Sequence, residues 1–226
     1  MKTLFAGLML LAGLTAFSQQ EIKVDNFSEI SLNTSATVYL THGNTQKVEV
    51  EGDEDDIENL EIFVRGKDLI IRNKRTSGWF SWGRNDVTIY ITTPKVNGLS
   101  VSGSGDLISK NKLNSEDLTL SVSGSGHIEI EVDAKTTTVS ISGSGKVYLK
   151  GNTNQMRASI SGSGKIKGED FVTGSFNASI SGSGSCEIHV EESLDARISG
   201  SGSVYYKGSP NHVNSRTSGS GKVKKM

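Results

Sequence analysis

The chain has 226 residues with 25 acidic and 24 basic side chains, so its formal net charge is -1. This balance excludes a globally basic surface that gathers nucleic acid, and we expect no nucleic-acid partner. Hydrophobic residues make up 34% and aromatic residues 6%. These low fractions favour a fold of stacked thin layers rather than one built around a core of large aromatic rings. The single cysteine excludes an internal disulfide.

The first 18 residues have the pattern of a secretory signal peptide. Lys2 supplies a positive start, and an apolar run of helix formers extends from Leu4 to Ala16. Ala16 and Ser18 are the small residues expected just before a cleavage site. The run is too short to span a bilayer comfortably. The alternative to a signal peptide is an N-terminal helix that belongs to the core. We predict export with a mature start at Gln19 and no integral membrane anchor.

Residues 19–98 have strand patterning but lack the repeat found later. The stretches EISLNTSATVYLTHG, QKVEVEG, LEIFVRGKDLIIRNK and DVTIYITTP all have the composition of β-strands. The acidic GDEDDIENL between two of them indicates a loop or a single helical turn, and it lacks the glycine and ligand spacing of a calcium loop. We predict an N-terminal β section that covers the first coil of the following domain, and no metal site.

The stretch KRTSGWFSWGR, residues 74–84, contains both tryptophans of the chain. Aromatic rings beside arginines stack on sugars or anchor a protein partner. The candidate contact residues are Arg75, Trp79, Phe80, Trp82 and Arg84. Two alternatives remain open: the rings plug the end of the fold, or the stretch is a mobile loop.

The tetrapeptide SGSG recurs through the second half of the chain. Its copies start at Ser102, Ser123, Ser142, Ser161, Ser181, Ser199 and Ser218. A nearly fixed period of about 19 residues is typical of an array of stacked units. Around each copy, apolar residues and glycines share one parity while serines and charged residues hold the other, as in a strand with one buried face. The sequence therefore predicts that both glycines of each copy face the core and both serines face solvent.

Such units cannot bury their own apolar faces, but in a parallel stack each unit pairs with its neighbours. We predict an all-β fold, a parallel β-solenoid over residues 99–226 with residues 19–98 as its N-terminal β capping section. The right-handed form is favoured by the usual hand of parallel crossovers. A repeated array of antiparallel hairpins is the rival architecture.

FSEISLNTSATVYLTHGNTQKVEVEGDEDDIENLEI, then DVTIYITTPKVNGLSVSGSGDL, then the recurring SGSG together resemble one bacterial family. It is the exported domain family described as the putative autotransporter adhesin head, or GIN, domain, common in Bacteroidetes. The resemblance covers almost the whole mature chain. It implies a β-helical exported domain with an adhesive or surface role, and it supplies no catalytic residues.

The sequence offers few candidates for chemistry. The Gly-Lys pairs lack the following Ser or Thr of a phosphate-binding loop, so no nucleotide cofactor is predicted. Stacking would align Asp106, His127 and Lys146 on the outer face, and a solvated ladder explains them better than a polysaccharide-cleaving site. A second outward series indicates charge pairing between coils: Glu131, Lys150, Glu169 and His189.

Cys186 occupies the slot that holds Val147 and Val204 in other copies, with the parity of the buried residues. We predict a buried, unreactive thiol there, in contrast to the reactive or intermolecular role that a lone exported cysteine suggests.

These observations favour an exported, non-enzymatic β-solenoid that serves in adhesion or binding at the cell envelope. Its expected partner is a glycan or an envelope protein, and its expected location is the periplasm, the outer cell surface or the extracellular space. Two alternatives remain: a structural envelope protein without a ligand, and a β-helical carbohydrate-active enzyme.

Overall fold

A computed structural model describes residues 18–74 and 87–226, and most of them lie in β-strands. The predicted signal peptide up to residue 17 lies outside the described residues. So does the segment 75–86, which contains all five candidate contact residues of the tryptophan stretch.

The described elements fall into two groups along the chain. The first comprises β1 (Ser18–Glu21), β2 (Glu29–Asn33), β3 (Thr37–His42), β4 (Lys47–Gly52), α1 (Glu54–Glu58), β5 (Leu60–Arg65), β6 (Asp68–Asn73) and β7 (Thr88–Thr93). The second comprises β8 (Gly98–Gly103), β9 (Asp106–Ser109), β10 (Leu113–Gly124), β11 (His127–Gly143), β12 (Lys146–Gly162), β13 (Lys165–Gly182), β14 (Ser185–Gly200), β15 (Ser203–Lys207), β16 (His212–Ser218) and β17 (Lys222–Lys225).

The repeats stack as parallel coils, and every SGSG lies directly over the one before it. Gly143 is opposite Gly124 on one side and Gly162 on the other, and the flanking strands keep the same register. All the strand pairs from β8 to β17 are parallel. The predicted parallel β-solenoid is therefore confirmed and the hairpin array is wrong; the right-handed winding stays a prediction. We call each coil a rung and each SGSG segment a corner.

The N-terminal section continues the same stack in an order that differs from the chain order. Strands β2 and β3 pair in parallel with β8 and β9, and β6 and β7 pair in parallel with β2 and β3 on the other side. The rung formed by β2 and β3 is thus enclosed between a later rung and the repeats. Antiparallel strands then close this end, with β5 on β6, β4 on β7 and β1 on β4. The section contributes two rungs as well as the expected cap, while the division at residue 98 remains a prediction.

The two glycines of a corner have different roles, which corrects the prediction that both face the core. The second glycine is buried, as Gly145 shows, and a Cβ there would clash with Cγ1 of Val122. The first glycine is partly exposed and turns the chain: Gly143 has φ of 115°. A Cβ on Gly143 would lie 2.6 Å from the carbonyl oxygen of Gly124. Parity assigned both glycines to one face because it cannot detect a residue at which the strand direction changes.

Cys186 lies in the interior column of the stack. It is opposite Ile166 in one neighbouring rung and Val204 in the other, and its exposed fraction is 0%. Burial raises the pKa of the Cys186 thiol above its usual range, because the thiolate would lose its hydration. The predicted register and burial of this residue are confirmed.

Substitutions at one corner should separate the roles of its residues. Gly143→Ala forces a Cβ onto a backbone oxygen at positive φ, and Gly145→Ala forces one onto Val122. Each change should lower the free energy of unfolding by about 1 to 3 kcal/mol, measured by urea denaturation. The exposed Ser144 is the matched control, and Ser144→Ala should stay within about 0.5 kcal/mol of the parent. Equal midpoints for Gly143→Ala and Ser144→Ala would contradict the stacking described here.

Cys186 should resist a thiol reagent in the native protein and react at once when the chain is unfolded, because the thiolate is the reactive form. Labelling followed over time by mass spectrometry, with and without urea, measures this difference. Cys186→Val should be tolerated, since Val147 and Val204 already occupy the equivalent slot. Rapid labelling of the folded chain would show that the thiol is reached without unfolding.

Candidate ligand-binding face

The strands that follow each corner present alternate side chains to solvent, and register aligns these side chains into columns along the stack. The first outward column contains Asp106, His127 and Lys146 in consecutive rungs, as predicted. Nδ1 of His127 lies 2.9 Å from Oδ1 of Asp106, and the two side chains are 38% and 44% exposed. They form an open surface pair between neighbouring rungs. No group of three or more His, Cys, Asp or Glu residues in the described ranges could hold a metal ion.

The second outward column carries the aromatic residues of this face. Near the cap, the rings of Tyr39 and Tyr90 stack with centroids 5.7 Å apart, and Lys110 Nζ lies 3.5 Å from the centroid of Tyr39. These rings therefore already have partners within the chain. Tyr148, further along the same column, is 38% exposed. Its ring is available to a ligand without any rearrangement of the cap.

A groove of about 580 Å³ runs beside Tyr148 along the stack. Four rungs line it, through residues 109–111, 129–131 and 148–150 and through Lys167, Glu169 and Asp170. We call it the Tyr148 groove. One wall is the second outward column, with Glu129, Tyr148 and Lys167, and the other is the third, with Lys150 at its centre. Buried residues such as Leu149 alternate with them, so the strand backbones form the floor.

An extra residue in β13 shapes one end of the Tyr148 groove. Tyr148 is opposite Lys167, but Lys150 is opposite Asp170, so β13 bulges between these pairs. The predicted series of Glu131, Lys150, Glu169 and His189 is correct only for its first pair. The bulge moves Glu169 out of line, and a further register shift between β13 and β14 places His189 opposite Val172. The sequence does not show where a strand takes up an additional residue.

The displaced Glu169 pairs with a rung further along the stack. Its carboxylate lies 2.9 Å from Nζ of Lys207, and this contact lowers the pKa of Glu169 and raises that of Lys207. Lys167 contacts Glu187, and this hydrogen bond raises the pKa of Lys167. The charged residues at this end of the groove therefore hold one another in place.

At the centre of the groove Glu131 lies 3.5 Å from Lys112, but two other charged side chains lack such a partner. The side chains of Glu129 and Lys150 form no hydrogen bond or ion pair with any other residue in the described ranges. An acceptor and a donor thus flank the ring of Tyr148, and both are free to contact a ligand.

The tryptophan stretch lies between β6 and β7 in the chain, since β6 ends at Asn73 and β7 begins at Thr88. Thr34, between β2 and β3 in the neighbouring rung, donates a hydrogen bond from Oγ1 to Oδ1 of Asn73 at 2.9 Å.

Sequence reasoning missed Tyr148, although the available signal was an aromatic residue at an outward position of a repeat.

Solved structures share this fold. A putative adhesin from Bacteroides fragilis NCTC 9343 has a TM-score of 0.85 at 24% identity, covering 94% of this chain and 98% of its own. A putative lipid binding protein from Parabacteroides distasonis ATCC 8503 has a TM-score of 0.73 at 24% identity, covering 93% and 96%. A putative adhesin from the same organism has a TM-score of 0.74 at 22% identity, covering 95% and 98%. No curated protein matches the chain.

A family model agrees with these structures and with the order of the sequence segments. The model for the putative auto-transporter adhesin, head GIN domain, matches residues 26–210, which include the N-terminal rungs, the bulged strand and the Tyr148 groove. The chain belongs to this family.

Proposed function

We propose that the protein is an exported, non-enzymatic binding module of the cell envelope, and that it contacts a glycan through the Tyr148 groove. The observation that carries this proposal is the exposed ring of Tyr148 between an acidic and a basic side chain that lack partners within the described chain. The family description and the names of the related adhesins support an adhesive role.

The groove suits a sugar in its chemistry and its dimensions. The C–H face of a pyranose ring packs on an aromatic ring, and its hydroxyls donate to a carboxylate and accept from an ammonium group. The volume of about 580 Å³ lies within the range of small-ligand sites, about 300 to 1,000 Å³. Backbone pairing on both sides fixes β12, so its backbone loses little conformational freedom on binding.

Export to the envelope is supported by the leader-like first 18 residues and by the family. Within the described residues, no helix combines the length and the apolar character needed to cross a membrane. The periplasm, the outer cell surface and the extracellular space are all consistent with this proposal.

The tryptophan stretch is a second candidate contact. The candidate residues between β6 and β7 in the chain are Arg75, Trp79, Phe80, Trp82 and Arg84. Aromatic rings and arginines are the residue types that most often anchor a protein partner. If the partner binds the tryptophan stretch, substitutions there should abolish binding and substitutions in the Tyr148 groove should not.

An enzyme of the β-helical, carbohydrate-active type is the alternative with a specific observation behind it. The contact between Asp106 and His127 pairs an acid with a base. However, both side chains lie on an open face and Lys146 lies in the adjacent rung. Asp106, His127 and Lys146 therefore do not line a common pocket that would bring one substrate bond to all three.

A glycan array probed with the purified mature chain tests the groove. Tyr148→Ala should abolish glycan binding, because it removes the ring on which the sugar packs, while the melting temperature changes little for a partly exposed residue. Tyr205, a half-buried tyrosine of the same column outside the groove, provides the matched control, and Tyr205→Ala should still bind.

The same array separates the alternatives. Loss of binding in a variant that combines Trp79→Ala with Trp82→Ala, with Tyr148→Ala unaffected, would assign the contact to the tryptophan stretch. Release of reducing sugar that disappears in His127→Ala would favour the enzyme. A silent array together with no sugar release would favour a structural envelope protein without a ligand.

A further inference from the structure

The two ends of the stack are not equivalent. At one end, antiparallel β5, β4 and β1 lie over the outermost rung. At the other end, within the part of the chain that the structure describes, β16 pairs only with β14 and β17 pairs only with β15. The far sides of β16 and β17 therefore form an uncovered sheet edge, which we call the terminal edge.

The backbone of the terminal edge has unpaired hydrogen-bonding groups. In these parallel rungs the residues of one register column direct N–H and C=O toward the preceding rung, as Thr119 does toward Asn97. Asn214 and Arg216 belong to such columns. The alternate residues Val213, Ser215 and Thr217 consequently direct their N–H and C=O groups away from β14, as a partner strand requires.

The side chains of the terminal edge add an apolar contact and a strong positive charge. Val213 is 46% exposed, whereas Leu194, its counterpart in the preceding rung, is 1% exposed. Residues 196–226 contain six Lys and Arg residues and no Asp or Glu. Arg216, Lys222, Lys224 and Lys225 are exposed on the last rung itself.

We propose that the terminal edge accepts an extended acidic segment of a partner protein, which adds to β16 as a further strand. Main-chain hydrogen bonds to an exposed sheet edge give affinity, and side-chain charge selects the partner. The lysines and Arg216 attract carboxylates on the incoming strand and repel a basic one. An apolar residue on the same strand covers Val213.

A second copy of the chain is a poorer occupant. Two terminal edges placed together would oppose their lysines. The opposite end carries acidic residues in α1, but its two sheets end at different heights, since β1 lies one strand further out than β5. The level terminal edge cannot pair with both. The structure therefore favours a flexible acidic segment.

Fluorescence anisotropy with a labelled peptide of alternating Glu and Val tests this proposal, with alternating Lys and Val as the control peptide. We expect the acidic peptide to bind, with an affinity that falls as salt rises, and the basic peptide not to bind. Ser215→Pro removes one outward N–H and should weaken binding by at least about tenfold. Ser215→Ala keeps that N–H and should bind like the parent.

Two further measurements make the outcome decisive. Replacing Lys222, Lys224 and Lys225 by Gln should reduce both the affinity and its salt dependence, while circular dichroism confirms that each variant is folded. Equal binding of both peptides, or acidic binding unchanged in folded Ser215→Pro, would overturn the proposal. Self-association of the protein alone through its terminal edge, followed by sedimentation, would also overturn the proposal. A second copy of the chain would then be the occupant. Tyr148→Ala should leave peptide binding unchanged, which separates this result from the glycan test.

Discussion

The architecture depends on how closely the corners of successive rungs approach. At Gly143 the backbone lies so near the carbonyl oxygen of Gly124 that a Cβ would be only 2.6 Å from it. The absence of a side chain on the first glycine lets parallel strands keep their hydrogen-bonding distance through a sharp change of direction. The second glycine leaves space for the valine or isoleucine of the preceding rung. The two glycines of each corner therefore set the spacing between rungs, and with it the spacing of the side-chain columns inside and outside the stack.

A regular stack of this kind has flat faces, so a site needs a local departure from regularity. The bulge in β13 supplies one, because it shifts Asp170 into the place opposite Lys150 and sends Glu169 to Lys207. The charges at this end of the Tyr148 groove are held by ion pairs, while Glu129 and Lys150 stay open to solvent contacts. The candidate binding surface thus lies where one repeat is longer than its neighbours, and paired strands flank it on both sides.

The sequence predicted the parts of the fold that depend on periodicity. The spacing of SGSG established the stack, and alternation placed Cys186 in the interior and Asp106 beside His127. Alternation could not distinguish the two glycines of a corner, because a change of direction leaves parity intact. It also could not reveal that β2 lies between β6 and β8, since that order depends on pairing between distant segments.

The candidate site was harder to predict than the fold. Tyr148 is a candidate because of the side chains beside it in the neighbouring rungs, and those neighbours depend on the register and on the position of the bulge. Trp79 and Trp82 were conspicuous by composition alone and lie outside the described residues. Composition draws attention to rare residue types, whereas a groove between columns is built from common ones.

The identical corners also create an ambiguity during folding that the irregular rungs resolve. If all repeats were alike, a coil could dock one unit out of place with its glycines still matched, and the chain would have many alignments of similar free energy. The spacing from Ser161 to Ser181 is 20 residues and that from Ser181 to Ser199 is 18, so these coils fit poorly over other neighbours. The buried rings of Phe171 and Phe176 lie opposite Gly151 and Met156 of the preceding rung, so this layer differs in shape from the others. The irregular strand β13, which shapes the groove, thereby also raises the free energy of shifted alignments and favours a single one.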